Sequence, residues 1–222
     1  MINITKGYDF YMKKAFVLFW IFYVCSFIGA IVETLWCFIR FDKIESRTSC
    51  IYEYNVPIYG LSGVVLLLFV LHFNIDKWYL LFLFGALIST FIEYVSSYLQ
   101  EKIFKSRSWD YSDFAFNLNG RVNLVYSIFF GVLSMVLYYV VLNPLYSFLM
   151  GLPFNGMFIF ITLTFFIFMM FDYIISFIAT FRWKERVARI NRDSKFFNLI
   201  DRVYNNNRMH KIYPNMKFMR DR

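Results

Sequence analysis

The chain has 222 residues, of which 59% are hydrophobic and 30 are phenylalanine, and its mean hydropathy is +0.51. It is more apolar and more aromatic than an ordinary soluble domain, so the composition excludes that class and indicates an integral membrane protein. The net charge of +8 equals the excess of twelve basic over four acidic residues after Phe181, so the rest of the chain is balanced.

Five hydrophobic stretches reach, or nearly reach, the roughly 20 residues with which a helix crosses about 30 Å of hydrocarbon. They predict an all-α fold, a polytopic transmembrane helical bundle of about five spans at residues 15–39, 56–73, 78–99, 122–142 and 157–180. Residues 143–156 hold two prolines and two glycines, which predicts a loop against the membrane surface, with a re-entrant piece at 145–152 as the alternative. The predicted division is a transmembrane helical domain, 1–181, and a basic amphipathic C-terminal tail, 182–222.

Lysine and arginine are spread unevenly over the segments that flank the spans. The first loop, the third loop and the tail hold three, four and twelve of them, whereas the N-terminal segment, the second loop and the fourth loop hold three, one and none. Because cytoplasmic segments carry the basic excess, we expect a multi-pass cell-membrane protein with a cytoplasmic C-terminus and an external N-terminus. The first stretch is too long for a signal peptide and no small-residue cleavage site follows it, which predicts a permanent helix.

Apolar residues recur at helical spacing among the basic residues of the tail: Val187, Ile190, Phe197, Ile200, Val203 and Tyr204. This pattern is typical of a helix that lies on an anionic leaflet, which makes membrane lipids an expected partner. A solvated tail behind a positive-inside stop signal is the alternative. The basic charge has no nucleic-acid-binding motif beside it, so no nucleic-acid partner is expected.

Three of the spans each contain one carboxylate in a matching frame: Glu33, Glu93 and Asp172. An ionised acid near the bilayer centre costs roughly 2.5–3.5 kcal/mol on insertion scales, so each of them needs a partner or a function. In the predicted orientation all three lie about 9–12 Å from the inner ends of their spans, at 1.5 Å per residue. We therefore expect them to share one layer of the bundle and to converge on a polar centre.

Three explanations of these acids remain open. In the first, Glu33 and Glu93 are buried struts paired with Arg121, or with Arg47, because a guanidinium can hold a carboxylate by two parallel hydrogen bonds. In the second, they line a substrate or ion pathway. In the third, their placement is accidental and they are partly exposed, and Asp172 in particular snorkels.

The segment between the third and fourth spans contains two unusual polar runs, Trp109-Asp110-Tyr111-Ser112 and Phe116-Asn117-Leu118-Asn119-Gly120-Arg121. Aromatic anchors at the headgroup level and a helix cap at Asn119 or a neighbour explain part of this pattern. The second run supplies more polar groups than a cap requires. Its amides and the preceding Trp109 and Asp110 therefore join the candidate site.

Other chemistry has little support in the sequence. Three cysteines, Cys25, Cys37 and Cys50, and two histidines show no metal-ligand spacing, so we expect no metal site, no disulfide framework and no cofactor. A Gly-rich phosphate loop of the Walker type is also absent from the sequence, so this chain cannot hydrolyse ATP by that route.

A set of motifs gives a family resemblance: Gly29 with Glu33-Thr34, Pro57-Ile58-Tyr59-Gly60, Glu93-Tyr94 and the two runs of the third loop. Over roughly residues 20–144, this set resembles the ABC-transporter type IV permease family, also called CmpB-like membrane proteins. Ala30 and Val32 stand where that family has tryptophans. After Arg47 the chain reads Thr-Ser-Cys-Ile-Tyr-Glu where the family has Gly-Phe-Leu-Tyr-Gly-Pro, so a ligand shaped by this loop is expected to differ.

The resemblance implies a transport-associated component with a polar site near the cytoplasmic side of the bundle. It also implies a separate ATPase subunit, and a homodimer would supply ten spans around a cavity. The candidate substrate- or ion-binding residues are Glu33, Glu93, Arg121, Asn117, Asn119, Trp109, Asp110, Tyr59, Arg47 and Asp172.

Two alternatives to transport remain. One is a membrane-embedded lipid-modifying enzyme, with Glu33 or Glu93 as general base and Arg121 holding a phosphate. The other is a non-catalytic membrane scaffold or regulator that docks a partner through the tail. Because the sequence shows no convincing nucleophile or metal site beside the acids, no catalytic residue is assigned and transport ranks above catalysis.

Overall fold

The computed structural model describes residues 2–190, 192 and 194–219, and residues 2–8 by their backbone alone. The described residues form eight α-helices: α1 Ile2–Phe41, α2 Pro57–Phe73, α3 Trp78–Phe104, α4 Leu124–Leu137, α5 Asn143–Gly151, α6 Gly156–Val187, α7 Lys195–Val203 and α8 Asn206–Ile212. Four two-residue strands accompany them: β1 Ser106–Arg107, β2 Asn117–Leu118, β3 Val122–Asn123 and β4 Lys217–Phe218. The antiparallel pairs are β1 with β4 and β2 with β3.

The predicted transmembrane helical bundle is confirmed. Within the described residues, four helical segments are long and apolar enough to cross a membrane: Asp9–Phe41, Trp78–Phe104, Leu124–Gly151 and Gly156–Val187. α2 is apolar but shorter, with 17 residues, or about 25 Å at 1.5 Å per residue, which is the lower limit for a span. It starts at Pro57, whose missing N–H is no loss in a first helical turn.

The prediction of a loop over residues 143–156 is wrong for most of that segment. Asn143–Gly151 is helix α5, which continues α4 through a π-helical turn at Tyr138–Leu142. Pro144 would clash with the carbonyl four residues earlier in a regular helix, and the wider π turn just before it accommodates the ring. The Lys13 ammonium then caps the end of α5 by donating to the carbonyls of Met150, at 2.5 Å, and Leu152, at 2.6 Å.

The apolar core fills the half of the bundle where α2 ends and α3 begins. It is built from Val17, Ile21, Cys25, Leu66, Leu67, Val70, Leu81, Leu142 and Leu149. Glycines let the helices approach one another closely here and towards the middle of the bundle. A Cβ at Gly60 would lie 2.5 Å from the Phe22 carbonyl oxygen and closer still to the Ser26 hydroxyl. The contact between α1 and α2 therefore depends on the absence of a side chain at Gly60.

Replacing Gly60 with alanine is expected to destabilise the protein by about 1–3 kcal/mol, because the new methyl group meets the Phe22 backbone carbonyl as well as the Ser26 hydroxyl, and the backbone cannot move aside as a side chain can. Gly151→Ala is the matched control, since a Cβ at Gly151 meets nothing within 4 Å. Thermal unfolding in detergent compares the two variants. Equal unfolding midpoints for Gly60→Ala and the unchanged protein would show that α1 and α2 can move apart without loss of stability.

The opposite end of the bundle is polar and is where the first loop, the third loop and the C-terminal residues meet; we call it the tail end. The residues 195–219, here called the docked tail, pack onto α6 through a second apolar cluster of Ala179, Trp183, Ile200, Tyr204, Met209 and Tyr213. Strand β4 pairs with β1, and Lys184 of α6 donates to the Ile103 carbonyl at 2.8 Å. Helix α6 itself includes residues 182–187, the first six residues of the predicted tail.

The predicted apolar face of the tail is divided between two environments. Ile200 and Tyr204 are buried against the bundle, and Phe197 lies 4.8 Å from the Arg182 guanidinium. Val187, Ile190 and Val203 remain exposed to the outside. The interpretation of all six residues as one lipid-facing stripe is wrong, because the docked tail uses half of them to cover the tail end of the bundle.

Candidate functional site

Two adjoining cavity lobes lie inside the tail end of the bundle. Their volumes are about 460 Å³ and about 590 Å³. Both lobes are lined by Glu33, Arg47, Tyr59, Glu93, Trp109 and Tyr111. The structure thus brings together six residues from α1, α2, α3 and the two loops of this end, five of which the sequence analysis proposed as site residues.

Glu33 is positioned by a contact between the first two helices. The Tyr59 hydroxyl of α2 donates to Glu33 Oε1 at 2.8 Å. The Tyr59 ring lies over Gly29, one helical turn before Glu33, and a Cβ at Gly29 would overlap that ring. The spacing Gly29 to Glu33 and the motif residue Tyr59 are therefore parts of one local arrangement.

Glu93 has only half of its carboxyl group satisfied. The Tyr111 hydroxyl donates to Glu93 Oε1 at 3.1 Å, whereas the buried Oε2 atom has no hydrogen-bond partner among the residues that the structure describes. Glu93 as a whole is only 7% exposed. Burial, and then the nearby carboxyl groups of Glu93 and Glu33, raise the pKa of the Tyr111 phenol well above its usual value. Both carboxyl groups thus lie near one phenol.

The hypothesis that Arg121 pairs with Glu33 or Glu93 is wrong. The Arg121 guanidinium forms an ion pair with Glu101 at 2.8 Å, and Arg107 binds the same carboxylate oxygen at 2.9 Å. The third loop folds back along α3 and brings Arg121 to its last turns, about two helical turns beyond Glu93. The sequence analysis did not identify Glu101 as the partner of Arg121, because nothing in the sequence distinguishes it from other acids near a helix end.

Arg47 lines both lobes, as Glu33 does, but no ion pair between Arg47 and an acid is found among the described side chains. Its Nη2 donates to the Cys37 sulfur at 3.0 Å, and its buried Nε has no described partner. The first loop holds Arg47 through Thr48, whose hydroxyl donates to the Glu53 carbonyl at 2.8 Å and accepts from the Asn55 N–H at 3.2 Å. The loop that departs from the family pattern therefore forms part of the cavity wall.

The proposed polar residues of the third loop mostly shape the loop itself. The Asn117 side chain donates to the Phe114 carbonyl and accepts from the Gly120 N–H, both within 2.9 Å. Asn119 donates to the Tyr94 hydroxyl at 2.9 Å. Neither asparagine lines a lobe. The N-cap of α4 is Asn123, which accepts from the Tyr126 N–H, so the expected cap at Asn119 is displaced by four residues.

Trp109 and Asp110 differ from these asparagines because both line the second lobe. The Trp109 indole donates to the Arg121 carbonyl at 3.0 Å, which fixes its ring at the cavity. Asp110 accepts from the Ser112 hydroxyl at 2.5 Å and from Arg107 at 3.1 Å. Its hydrogen bond from the Ser112 hydroxyl is the main reason why the pKa of Asp110 lies below its usual value. Asp110 is thus an ionised, satisfied group at the rim.

Asp172 does not join the other two acids. It is fully buried, and its two carboxylate oxygens accept the backbone N–H groups of Ile51, Tyr52 and Glu53 at 2.7–3.2 Å and the Ser176 hydroxyl at 3.0 Å. It lines neither lobe. Of the three acids that we expected to converge, Glu33 and Glu93 line the same two lobes, whereas Asp172 anchors the first loop to α6.

Part of the cavity wall comes from a segment that sequence reasoning did not connect with the site. Residues 213–216 of the docked tail line the first lobe, and the Tyr213 hydroxyl donates to the Ser49 carbonyl at 3.2 Å. The Tyr52 and Tyr204 hydroxyls add a second link at 2.6 Å. These contacts join residues more than 150 positions apart, and no local pattern signals them.

The fold and the cavity define the class: a multi-pass α-helical membrane protein with an acidic internal cavity at the end of the bundle where its tail docks. The sequence profile of the family described as "Putative ABC-transporter type IV" matches residues 20–177, and the chain belongs to this family. The match continues past the motifs of residues 20–144 into α6 and includes Asp172. No curated protein and no solved structure matches the chain.

Proposed function

We propose that this chain is the membrane-embedded component of an ABC-type transporter, and that the cavity around Glu33 and Glu93 binds the transported solute. One observation carries the proposal: a buried carboxylate oxygen, Glu93 Oε2, lacks a described partner while its residue lines both cavity lobes. A buried polar atom without a hydrogen bond costs free energy, which a ligand that completes the site recovers.

The size and lining of the cavity support this proposal. Ligand pockets usually measure about 300–1,000 Å³ and combine apolar walls with a few placed polar groups. Each lobe falls in that range, and carboxyl, phenol and indole groups converge where the lobes adjoin. Ionisable groups buried inside a membrane bundle most often mark a substrate or ion pathway.

The distribution of basic residues supports an orientation. We place the tail end on the cytoplasmic side and the N-terminus outside, because the first loop, the third loop and the tail, which hold 19 of the 23 lysines and arginines, meet at that end. In this orientation a separate ATPase subunit would dock at the tail end, close to the cavity. A homodimer, which would supply ten helices, and contacts between the exposed basic residues and membrane lipids belong to the same proposal.

The test compares membrane vesicles from cells that carry the unchanged chain or its Glu93→Gln variant. We expect ATP-dependent accumulation of at least one solute, detected by untargeted mass spectrometry, and a decrease of about tenfold or more in the variant, because an amide cannot replace the carboxylate toward a ligand. Asp76→Asn is the matched control, since Asp76 is exposed at the opposite end of the bundle and carries the same charge.

Two results would contradict separate parts of the proposal. Accumulation that is equal in Glu93→Gln and Asp76→Asn vesicles would remove the cavity as the solute site. Accumulation that persists when ATP is replaced by a non-hydrolysable analogue would remove the link to an ATPase.

A further inference from the structure

The charges that line the cavity leave one carboxylate without compensation. The first lobe contains two acids, Glu33 and Glu93, and one cation, Arg47. The second lobe contains these three and adds Arg40, Lys43, Glu45 and Asp110, so it also has one acid in excess. The nearby Arg121 and Arg107 are already engaged by Glu101. Each lobe therefore has a formal charge of −1.

The uncompensated acid can be assigned to Glu93. The Glu33 carboxyl group accepts a hydrogen bond from Tyr59 at 2.8 Å and shares both lobes with the cation Arg47. Glu93 receives one neutral hydrogen bond, from Tyr111, and no described cation lies within ion-pair distance of it. A complementary ligand would thus bring one positive charge to the Glu93 carboxyl group.

Aromatic side chains line the same lobes as this acid. Tyr59, Trp109, Tyr111 and Phe130 line both lobes, and further rings line each lobe separately. The faces of aromatic rings attract cations, most strongly when water is excluded, and a carboxylate among several rings is a common way to bind organic ammonium groups. The walls therefore favour a cation that also presents apolar surface.

A bare metal ion fits this cavity poorly. No group of three or more histidine, cysteine or acidic side chains that could hold a metal is found among the residues that the structure describes. Divalent cations prefer six to eight oxygen ligands at 2.3–2.6 Å for Ca²⁺, or six at about 2.0–2.1 Å for Mg²⁺. A lobe of about 460 Å³ is also far larger than one ion and its direct ligands.

From these observations we infer that the solute bound in this cavity is an organic monocation, with its ammonium or pyridinium centre at the Glu93 carboxyl group and its apolar part against the aromatic walls. The inference rests on the proposed function and adds the chemical class of the ligand. An anion is disfavoured because both lobes have an excess of carboxylates, although Arg47 alone would attract one.

The experiment uses the full chain purified in lipid nanodiscs. The probe is a dimethylaminostyryl-N-methylpyridinium dye, whose fluorescence rises when it leaves water, and the reference is the unmethylated pyridine parent, which is neutral at mildly alkaline pH and has nearly the same shape. We expect the cationic dye to bind about tenfold or more tightly than its parent. Phenyltrimethylammonium should displace the dye, and benzenesulfonate should not.

Variants locate the effect at Glu93. Glu93→Gln is expected to reduce the affinity of the cationic dye about tenfold or more and to leave binding of the neutral parent unchanged, which also shows that the variant is folded. Asp76→Asn removes an equal charge at an exposed position, and it should change neither the affinity for the cationic dye nor the affinity for the neutral parent. The inference is overturned if no cation binds, if dye and parent bind equally, if benzenesulfonate is the better competitor, or if Glu93→Gln has no effect.

These results are separable from the test of the proposed function. If vesicles accumulate a neutral or anionic solute that depends on Glu93, the transport proposal stands and the cation inference falls. If purified protein binds cations at Glu93 but vesicles accumulate no solute, the cation site stands and the transport proposal falls.

Discussion

Replacing Asp172 with alanine is expected to release the first loop from α6 and to destabilise the protein by about 3 kcal/mol or more. The carboxylate accepts from three consecutive backbone N–H groups, and its removal leaves those of Tyr52 and Glu53 without their acceptor, whereas the Ile51 N–H keeps the Ser176 hydroxyl. Each unsatisfied buried donor costs about 1–3 kcal/mol, so the effect exceeds that of a single lost hydrogen bond. Thermal unfolding of the purified protein in detergent measures it.

Ser176→Ala provides a graded control for this prediction. The Ser176 hydroxyl donates to Asp172 at 3.0 Å and accepts from the Ile51 N–H at 3.0 Å, so its loss removes one part of the same cluster. We expect a loss of about 1 kcal/mol for this variant. If Asp172→Ala is no worse than Ser176→Ala, the loop is held by other contacts and Asp172 is not its anchor.

The anchor also matters for the cavity, because Arg47 and Cys50 in the same loop line the first lobe. The loop has no regular structure between residues 42 and 56, and its shape depends on Thr48 from within and on Asp172 from α6. A buried acid that organises a loop and a buried acid that faces a cavity look alike in sequence. Both are single carboxylates in an apolar span, and only their neighbours in space separate the two roles.

Much of the fold could be predicted because it follows from local composition. The long apolar stretches identify the spans, since a helix is the only way to satisfy an isolated backbone segment in hydrocarbon. Glu33 and Glu93 were identifiable by the same physics, because an acid in an apolar helix demands an explanation. The sequence interpretation of residues 143–156 failed because it treated Pro144 as a helix breaker, whereas the π turn before it lets the helix continue.

The pairing partners could not be predicted, because they depend on how the loops fold in three dimensions. Arg121 follows Glu93 by 28 positions and Glu101 by 20, and nothing in these separations favours the true partner. The docked tail forms part of the cavity wall, and its position depends on a two-residue strand pair and on hydroxyl contacts of Tyr204 and Tyr213. Such short elements have no periodicity from which to recognise them.

Replacing Arg182 with methionine is expected to detach the docked tail from α6. Arg182 is 2% exposed and binds Glu185 at 2.5 Å and Asp201 of α7 at 2.6 Å. Burial would raise the pKa of Asp201, but the hydrogen bonds from Arg182 and Arg186 outweigh it and hold that pKa below its usual value. Removing one partner from a buried ion pair costs about 3–5 kcal/mol, and here the buried Glu185 would keep only the solvent-exposed Arg192.

Labelling of Cys50 with a thiol reagent reports the detachment. Burial, and then the charges of Asp172 and Glu53, raise the pKa of the Cys50 thiol, so it is protonated and unreactive while the tail is docked. Release of the tail should expose the first lobe and increase labelling of Cys50, as located by peptide mapping. Cys25 is the internal control, because it lies in the apolar core away from the tail.

The double variant Arg182→Met with Glu185→Leu separates loss of an ion pair from loss of packing. Glu185 is 2% exposed, and its remaining partner, Arg192, has a side chain 56% exposed that can return to water. Asp201 keeps its ion pair with Arg186 in the double variant. Replacing both members of a buried pair by apolar residues is often neutral, so tail docking and protection of Cys50 should recover. If the double variant labels as fast as Arg182→Met, the apolar cluster depends on Arg182 itself, and the buried charge of Glu185 is not the cause of detachment.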